Sequence, residues 1–181
     1  MKIVLSLLIP LALSLGAERT VEVQELSGRP VSFDLTGKTT VVMFYSATCP
    51  VSNDYNDRMS ALYRAYSQQG VQFILVNANA NEPARDVALH AKAADFPFPV
   101  YKDANNVLAD SMGATVTPEA YLFDRDGVVR YHGHIDDSRN PARAQVHGLR
   151  KALDAVLTGV PVAKQETKAF GCTIKRVRKA S

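Results

Sequence analysis

The sequence predicts one α/β domain built on a central mixed β-sheet that is flanked by helices on both faces. Three observations carry this. Residues 40–45 have no polar alternation after Thr40, and VQFILV at 71–76 is a second run of the buried type, so both read as strands covered on both faces. Each is followed by a segment of helical apolar spacing. Further along, two strand-like runs flank Arg125-Asp126-Gly127, and Asp-Gly between such runs marks an antiparallel hairpin. With 181 residues, 46% hydrophobic and 22% charged, the composition is that of an ordinary globular protein with one core.

In chain order, Thr20–Val23 and Val31–Asp34 are short strands separated by a Ser27-Gly28 turn. They lead into Thr40–Tyr45, the central strand, which ends shortly before Cys49. Pro50 suits a first helical position, because its missing N–H would have no partner there. From Pro50 to about Gln68 the helix carries Val51, Tyr55, Met59, Leu62 and Tyr66 on one stripe, and it stops at Gly70. Val71–Val76 is the second buried strand, and Asn77, Asn79 and Asn81 follow it as turn formers. Asp86–Ala94 reads as a helix. Phe96–Val100, with prolines at 97 and 99, is either a short strand or an extended connector. A short helix from about Asn106 to Met112 ends at Gly113. Ala120–Asp124 and Val128–Ile135 form the hairpin. The last helix runs from about Pro141 to Leu157, with Val146, Leu149, Leu153, Val156 and Leu157 on its apolar face, and closes at Gly159.

This order places Cys49 at the carboxyl end of the central strand and at a helix N-terminus. Unpaired N–H groups and the positive end of the helix dipole favour a thiolate there. Open α/β sheets carry their sites at that edge, which argues for a redox-active cysteine over a buried one acting as a small hydrophobe. The first residues, MKIVLSLLIPLALSLGAERT, hold one lysine, an apolar run from Ile3 to Leu15 and small residues at Ser14, Gly16 and Ala17. They read as a secretory signal over residues 1–17, the alternative being an uncleaved anchor. The expected product is exported, periplasmic or extracellular, with no stable membrane insertion after cleavage. Disulfides persist in such compartments, and the chain has two cysteines, Cys49 and Cys172.

The formal net charge of +3 conceals a division between a domain over residues 18–160 and a tail over residues 161–181. The tail carries Lys164, Lys168, Lys175, Arg176, Arg178 and Lys179 against Glu166 alone. It lacks the aromatic interleaving and length of a nucleic-acid arm, so no nucleic-acid partner is expected.

Three motifs in order resemble the thioredoxin-like redoxin family, which includes the peroxiredoxins and the alkyl hydroperoxide reductase/thiol-specific antioxidant proteins, and within it an exported peroxiredoxin-like branch. They are Cys49-Pro50-Val51-Ser52-Asn53 with nearby Tyr55, Tyr131-His132-Gly133-His134-Ile135-Asp136-Asp137, and Gly171-Cys172-Thr173-Ile174. The resemblance covers about residues 30–175. It implies a thioredoxin-like fold and an oxidoreductase that works by thiol–disulfide exchange or peroxide reduction. Its partners would be protein thiols and disulfides or small peroxides, with an external thiol reductant and no cofactor. It further implies that Thr117-Pro118 faces the active cysteine with a cis peptide bond, although cis bonds are only about 5–6% of X–Pro bonds.

Departures from the family pattern narrow what carries over. Ser52 stands where a thioredoxin site has its second cysteine, so a local CxxC exchange is excluded. Ser46 stands where peroxiredoxins have a threonine three residues before the peroxidatic cysteine, and its hydroxyl keeps the capacity to orient a peroxide. The catalytic candidates are thus Cys49 and Cys172, with Ser46, Pro50, Thr117 and Pro118 positioning the substrate. Cys172 is the one resolving thiol within the chain, and three arrangements stand open: an intramolecular redox pair, a static disulfide fastening the tail, or a bond between chains. Two functions from other classes stand beside the enzyme: a non-catalytic binding module that keeps the fold, and a copper-binding assembly factor using His132 and His134, which lie two apart on a strand and so on one face. No metal is assigned, since only one cysteine is on the helix. His90 and His147 fall on the expected helices without a motif, and Asp136 and Asp137 read as a loop or cap pair after the hairpin.

Overall fold

A computed structural model describes residues 20–178, so the expected signal segment lies outside the described residues. Strands β1 (Thr20–Glu25), β2 (Pro30–Asp34), β3 (Thr40–Tyr45), β4 (Gln72–Asn77), β5 (Val100–Lys102), β7 (Glu119–Phe123) and β8 (Val129–Gly133) form one seven-stranded sheet in the order β2-β1-β5-β4-β3-β7-β8. The pairs β3–β4 and β4–β5 are parallel and the others antiparallel, so the sheet is mixed as expected. Helices α1 (Pro50–Asn53), α2 (Asn56–Tyr66), α3 (Ala84–Ala93), α4 (Val107–Met112) and α5 (Gly148–Thr158) and the two-residue strands β6 (Val116–Thr117) and β9 (Cys172–Thr173) complete the fold.

All six residues of β3 are buried, because alternate side chains feed two separate apolar layers. Val41, Met43 and Tyr45 join Met59 and Leu62 of α2, Val87 of α3, and Leu149 and Leu153 of α5. Val42 and Phe44 join Leu108 and Ala109 of α4, together with Ile174 from the tail. Helices therefore cover both faces, and the tail serves as part of the second cover. This is the thioredoxin-like arrangement that the motifs imply.

Two helices differ from the periodicity. The single helix expected from Pro50 is interrupted at Asp54-Tyr55: the Tyr55 amide bonds only three residues back, to the Ser52 carbonyl at 3.0 Å, while its hydroxyl reaches across to Asp136. The helix expected from Pro141 begins at Gly148, because residues before it bond to the Asp137 loop instead. Gln145 N–H donates to the Asp137 carboxylate at 2.9 Å, and Asp137 N–H donates to the Val146 carbonyl at 3.1 Å. Val146 is accordingly off the helix and 38% exposed. The segment 96–100 is mostly connector, with only Val100 entering β5.

Beyond α5 the chain returns along the edge of β8. His132 N–H donates to the Gln165 carbonyl at 2.8 Å, and Thr167 N–H to the His132 carbonyl at 2.9 Å. Thr167 then shares a hydroxyl bond of 2.7 Å with buried Tyr131. This close approach requires glycine at position 133, where φ is +141° and a Cβ would overlap the Thr167 carbonyl. Gly133→Ala is expected to destabilise the protein by about 1–3 kcal/mol through overpacking, read as a lower urea midpoint with unchanged slope.

Candidate active site

Cys49 is the N-cap of α1 and only 3% exposed. Its Sγ accepts a hydrogen bond from Ser52 N–H at 3.4 Å and lies 3.6 Å from the Thr117 carbonyl oxygen. The sulfur is bonded to Cys172, 123 residues later, with the two Cα atoms 5.9 Å apart, inside the range that a disulfide spans without backbone movement. Cys172 is the less buried of the two. The pairing is therefore within the chain, and Pro50, Thr117 and Pro118 all border it, with Thr117-Pro118 in the cis form.

The loop Ser46–Thr48 owes its shape to a carboxylate. Glu82, 3% exposed, accepts from Ala47 N–H at 2.9 Å, from the Thr48 hydroxyl at 2.6 Å, and from the Ser46 hydroxyl and the Asn77 amide. Ser46 Oγ in turn accepts from Cys49 N–H at 3.0 Å. Its single proton goes to Glu82, so the Ser46 hydroxyl braces the loop that leads into Cys49. Ser52 does related work, its Oγ accepting from Ser46 N–H at 3.1 Å. Behind Glu82, buried Lys102 donates to Asn77 Oδ1 at 2.7 Å and to the carbonyls of Asn79 and Glu82 at 2.9 Å each. Burial holds the Lys102 ammonium below the ordinary lysine range, with Glu82 and Asp103 opposing the shift.

A second buried carboxylate shapes the opposite wall. Glu119, 3% exposed and directly after Pro118, accepts from the N–H groups of Thr115 and Val116 at 2.8 and 3.1 Å and from His132 Nε2. The short strand β6 that it holds pairs antiparallel with β9, so that Thr117 faces Cys172 and Val116 faces Thr173.

His132 and His134 do not share a face. His132 stacks on Tyr121 with ring centroids 4.2 Å apart and is tied to Glu119, whereas His134 packs against Tyr131 and Gly148 on the α5 side. The strand ends at Gly133, whose positive φ breaks the alternation that would have aligned them. Among the described residues no three His, Cys, Asp or Glu side chains are grouped as a metal would need. Asp136 is a structural anchor: it accepts from Tyr55 at 2.9 Å and from Arg58 at 2.7 Å.

Asn77, Asn79, Asn106, Glu82, Lys102 and Glu119 make up the site's polar frame, and the sequence signalled them faintly. A run of asparagines after a buried strand reads as turn chemistry, and burial of a lone glutamate leaves no periodic trace.

A model of the AhpC/TSA family matches residues 18–132. A curated protein of Halalkalibacterium halodurans named thiol-disulfide oxidoreductase ResA is 30% identical over 111 residues, 60% of this chain and 62% of that protein. The chain thus spans about three fifths of the length of that relative. Among solved structures, an uncharacterized conserved protein from Geobacillus kaustophilus matches with a TM-score of 0.81 and 30% identity, over 96% of this chain and 100% of that one. A putative thiol:disulfide interchange protein DsbE from Chlorobium tepidum matches with a TM-score of 0.63 and 22% identity, over 76% and 93% respectively, and shares the fold.

Burial alone would raise the Glu82 pKa, but hydrogen bonds from Ser46, Thr48, Asn77 and Ala47 outweigh it and hold the carboxyl below its ordinary 4.5. The unfolded chain therefore takes up the proton first on acidification. The stabilisation is complete above about pH 4.5 and is lost as pH falls through the lower native pKa. Glu82→Gln is expected to cost about 1–3 kcal/mol at neutral pH and to flatten the acid limb of stability, measured by urea midpoints across that range.

Proposed function

Because the chain belongs to the AhpC/TSA family, we propose that it is a thiol–disulfide oxidoreductase whose working couple is Cys49 and Cys172. The observation that carries this reading is the disulfide between the two, placed at the carboxyl edge of β3 against Thr117-Pro118. In the reduced chain the Cys49 thiolate, with Ser52 N–H directed at its sulfur, attacks one sulfur of a partner disulfide. The partner's S–S bond breaks, its second sulfur leaves as a thiolate, and a Cys49–partner disulfide forms. Cys172 thiolate then attacks Cys49 Sγ and expels the partner's remaining thiolate. The partner has gained two electrons, and the chain is left with the Cys49–Cys172 bond. An external thiol reductant must restore the dithiol. Ser52 fills the position of a helix-borne second thiol, so the resolving thiol comes from the tail strand.

Disulfide exchange is favoured over peroxide reduction by the engagement of Ser46, whose proton is committed to Glu82. The relative named thiol-disulfide oxidoreductase supports the same choice. We place the working chain outside the cytosol, where such a disulfide persists. The amino-terminal apolar run supports export, and no helix among the described residues is long and apolar enough to cross a membrane.

Mass spectrometry and thiol counting on the full chain test the reading. Reduced protein mixed with a stoichiometric protein disulfide should lose two thiols per chain and regain them with dithiothreitol. Cys172→Ser should accumulate a mixed disulfide at Cys49, and Cys49→Ser should abolish turnover. Thiols that survive every disulfide would mark the pair as unreactive, and a pair that dithiothreitol cannot open in the native protein would mark Cys172 as a fixed staple.

Hydrogen peroxide should oxidise the same dithiol more slowly than a protein disulfide does. A faster reaction with peroxide would reverse the choice between the two chemistries.

A further inference from the structure

The segment that closes the disulfide is held in the manner of a bound ligand. Residues 171–177 lie along β6 and the loops that follow β4 and precede α4, and much of what holds them is aimed at main chain. Cys172 and Thr173 pair antiparallel with Thr117 and Val116, and Ile174 N–H donates to the Thr115 carbonyl at 3.0 Å. The side-chain oxygens of buried Asn79 and Asn106 accept from the N–H groups of Lys175 and Val177 at 2.8 and 2.7 Å. Such groups serve any extended strand laid on the edge.

Three positions add side-chain selection. At Gly171 a Cβ would overlap the Thr117 carbonyl, which is backbone and has no room to yield. Ile174 is 3% exposed within the second apolar layer. Arg176 Nε lies 3.1 Å from the Asp110 carboxylate, and its guanidinium donates to the Ala114 carbonyl.

We propose that this edge is the docking site for the cysteine segment of a protein partner. It reads glycine, cysteine, any residue, an apolar residue and, two positions on, a cation; the tail is the resident copy of that pattern in the oxidised chain. The inference rests on the exchange reading and gives it a substrate class. Partner and tail use the same main-chain groups, so they occupy the edge alternately. A docked segment brings its sulfur to the place of Cys172 Sγ, beside Cys49. After Cys49 has attacked and the partner's second sulfur has left as a thiolate, the returning tail competes for the edge. Its Cys172 thiolate displaces the partner's sulfur from Cys49 at the same time.

The test uses full-length reduced Cys172→Ser and synthetic peptides of residues 168–178, each with its cysteine activated as a mixed disulfide with 2-thiopyridine. Attack by Cys49 forms the Cys49–peptide disulfide and releases 2-thiopyridone, which is followed by absorbance. The parent peptide should react at least about tenfold faster than peptides carrying Gly171→Val or Ile174→Asp, after division by each peptide's rate with glutathione. Adding Arg176→Glu to the protein's own tail should raise the rate with the parent peptide. Equal corrected rates across the peptides overturn the docking pattern while leaving exchange intact, and an unchanged rate with the loosened tail overturns the alternation. If neither the peptides nor dipyridyl disulfide reacts with Cys49, the exchange reading itself fails.

Discussion

A carboxylate taken out of water must be given donors to match, and Glu82 obtains its donors from the loop that leads into Cys49. Glu119 imposes the same condition on the opposite wall, drawing in the amides of Thr115 and Val116. The two segments approach the disulfide from different strands; Ser46–Thr48 has no regular secondary structure, and the other has only the two-residue strand β6. What sets their distance from each other is that each is satisfied from behind. Loosening either carboxylate would leave both a buried charge and a displaced wall, which couples the stability of the domain to the geometry at Cys49.

Most of the sheet was legible because β3 after Thr40 and the Phe73–Val76 stretch of β4 are apolar without alternation, and such runs have few alternatives to a doubly covered strand. The hairpin was equally plain from Asp126-Gly127. Helix boundaries were less so wherever a side chain from elsewhere competed with the local ladder. Asp137 captures the amide of Gln145 and ends any helix there, and Tyr55 is drawn to Asp136; neither partner is visible in a local window. Cys49 and Pro50 were singled out by their place between a strand end and a helix start, and Thr117 and Pro118 through the family resemblance. The frame that positions them was not, because Glu82, Lys102 and the asparagines act through tertiary hydrogen bonds whose sequence trace is a few polar residues in a loop. Likewise, the spacing of His132 and His134 suggested one face, and only the backbone at Gly133 separates them.

Holding the second thiol on a distant strand has a price that a local pair on one helical turn does not. Ile174 and the amides of residues 175 and 177 hold the tail through contacts that do not involve the two sulfurs. Burying an isoleucine side chain is worth about 1.5–3 kcal/mol, which any other segment laid on the edge must offset. Opening the S–S bond and lifting the tail from its edge are therefore two separate steps.

The same bond divides the chain into unequal mechanical parts. A force applied between Thr20 and Arg178 passes through Cys49 to Cys172 and bypasses everything between them, including β4, β7, β8 and α5. Oxidised, the molecule can yield only its first strands and a few tail residues. Reduced, it gains the contour of the 123-residue span, on the order of 400 Å, so the oxidation state of one pair of sulfurs sets how far the protein can be drawn out.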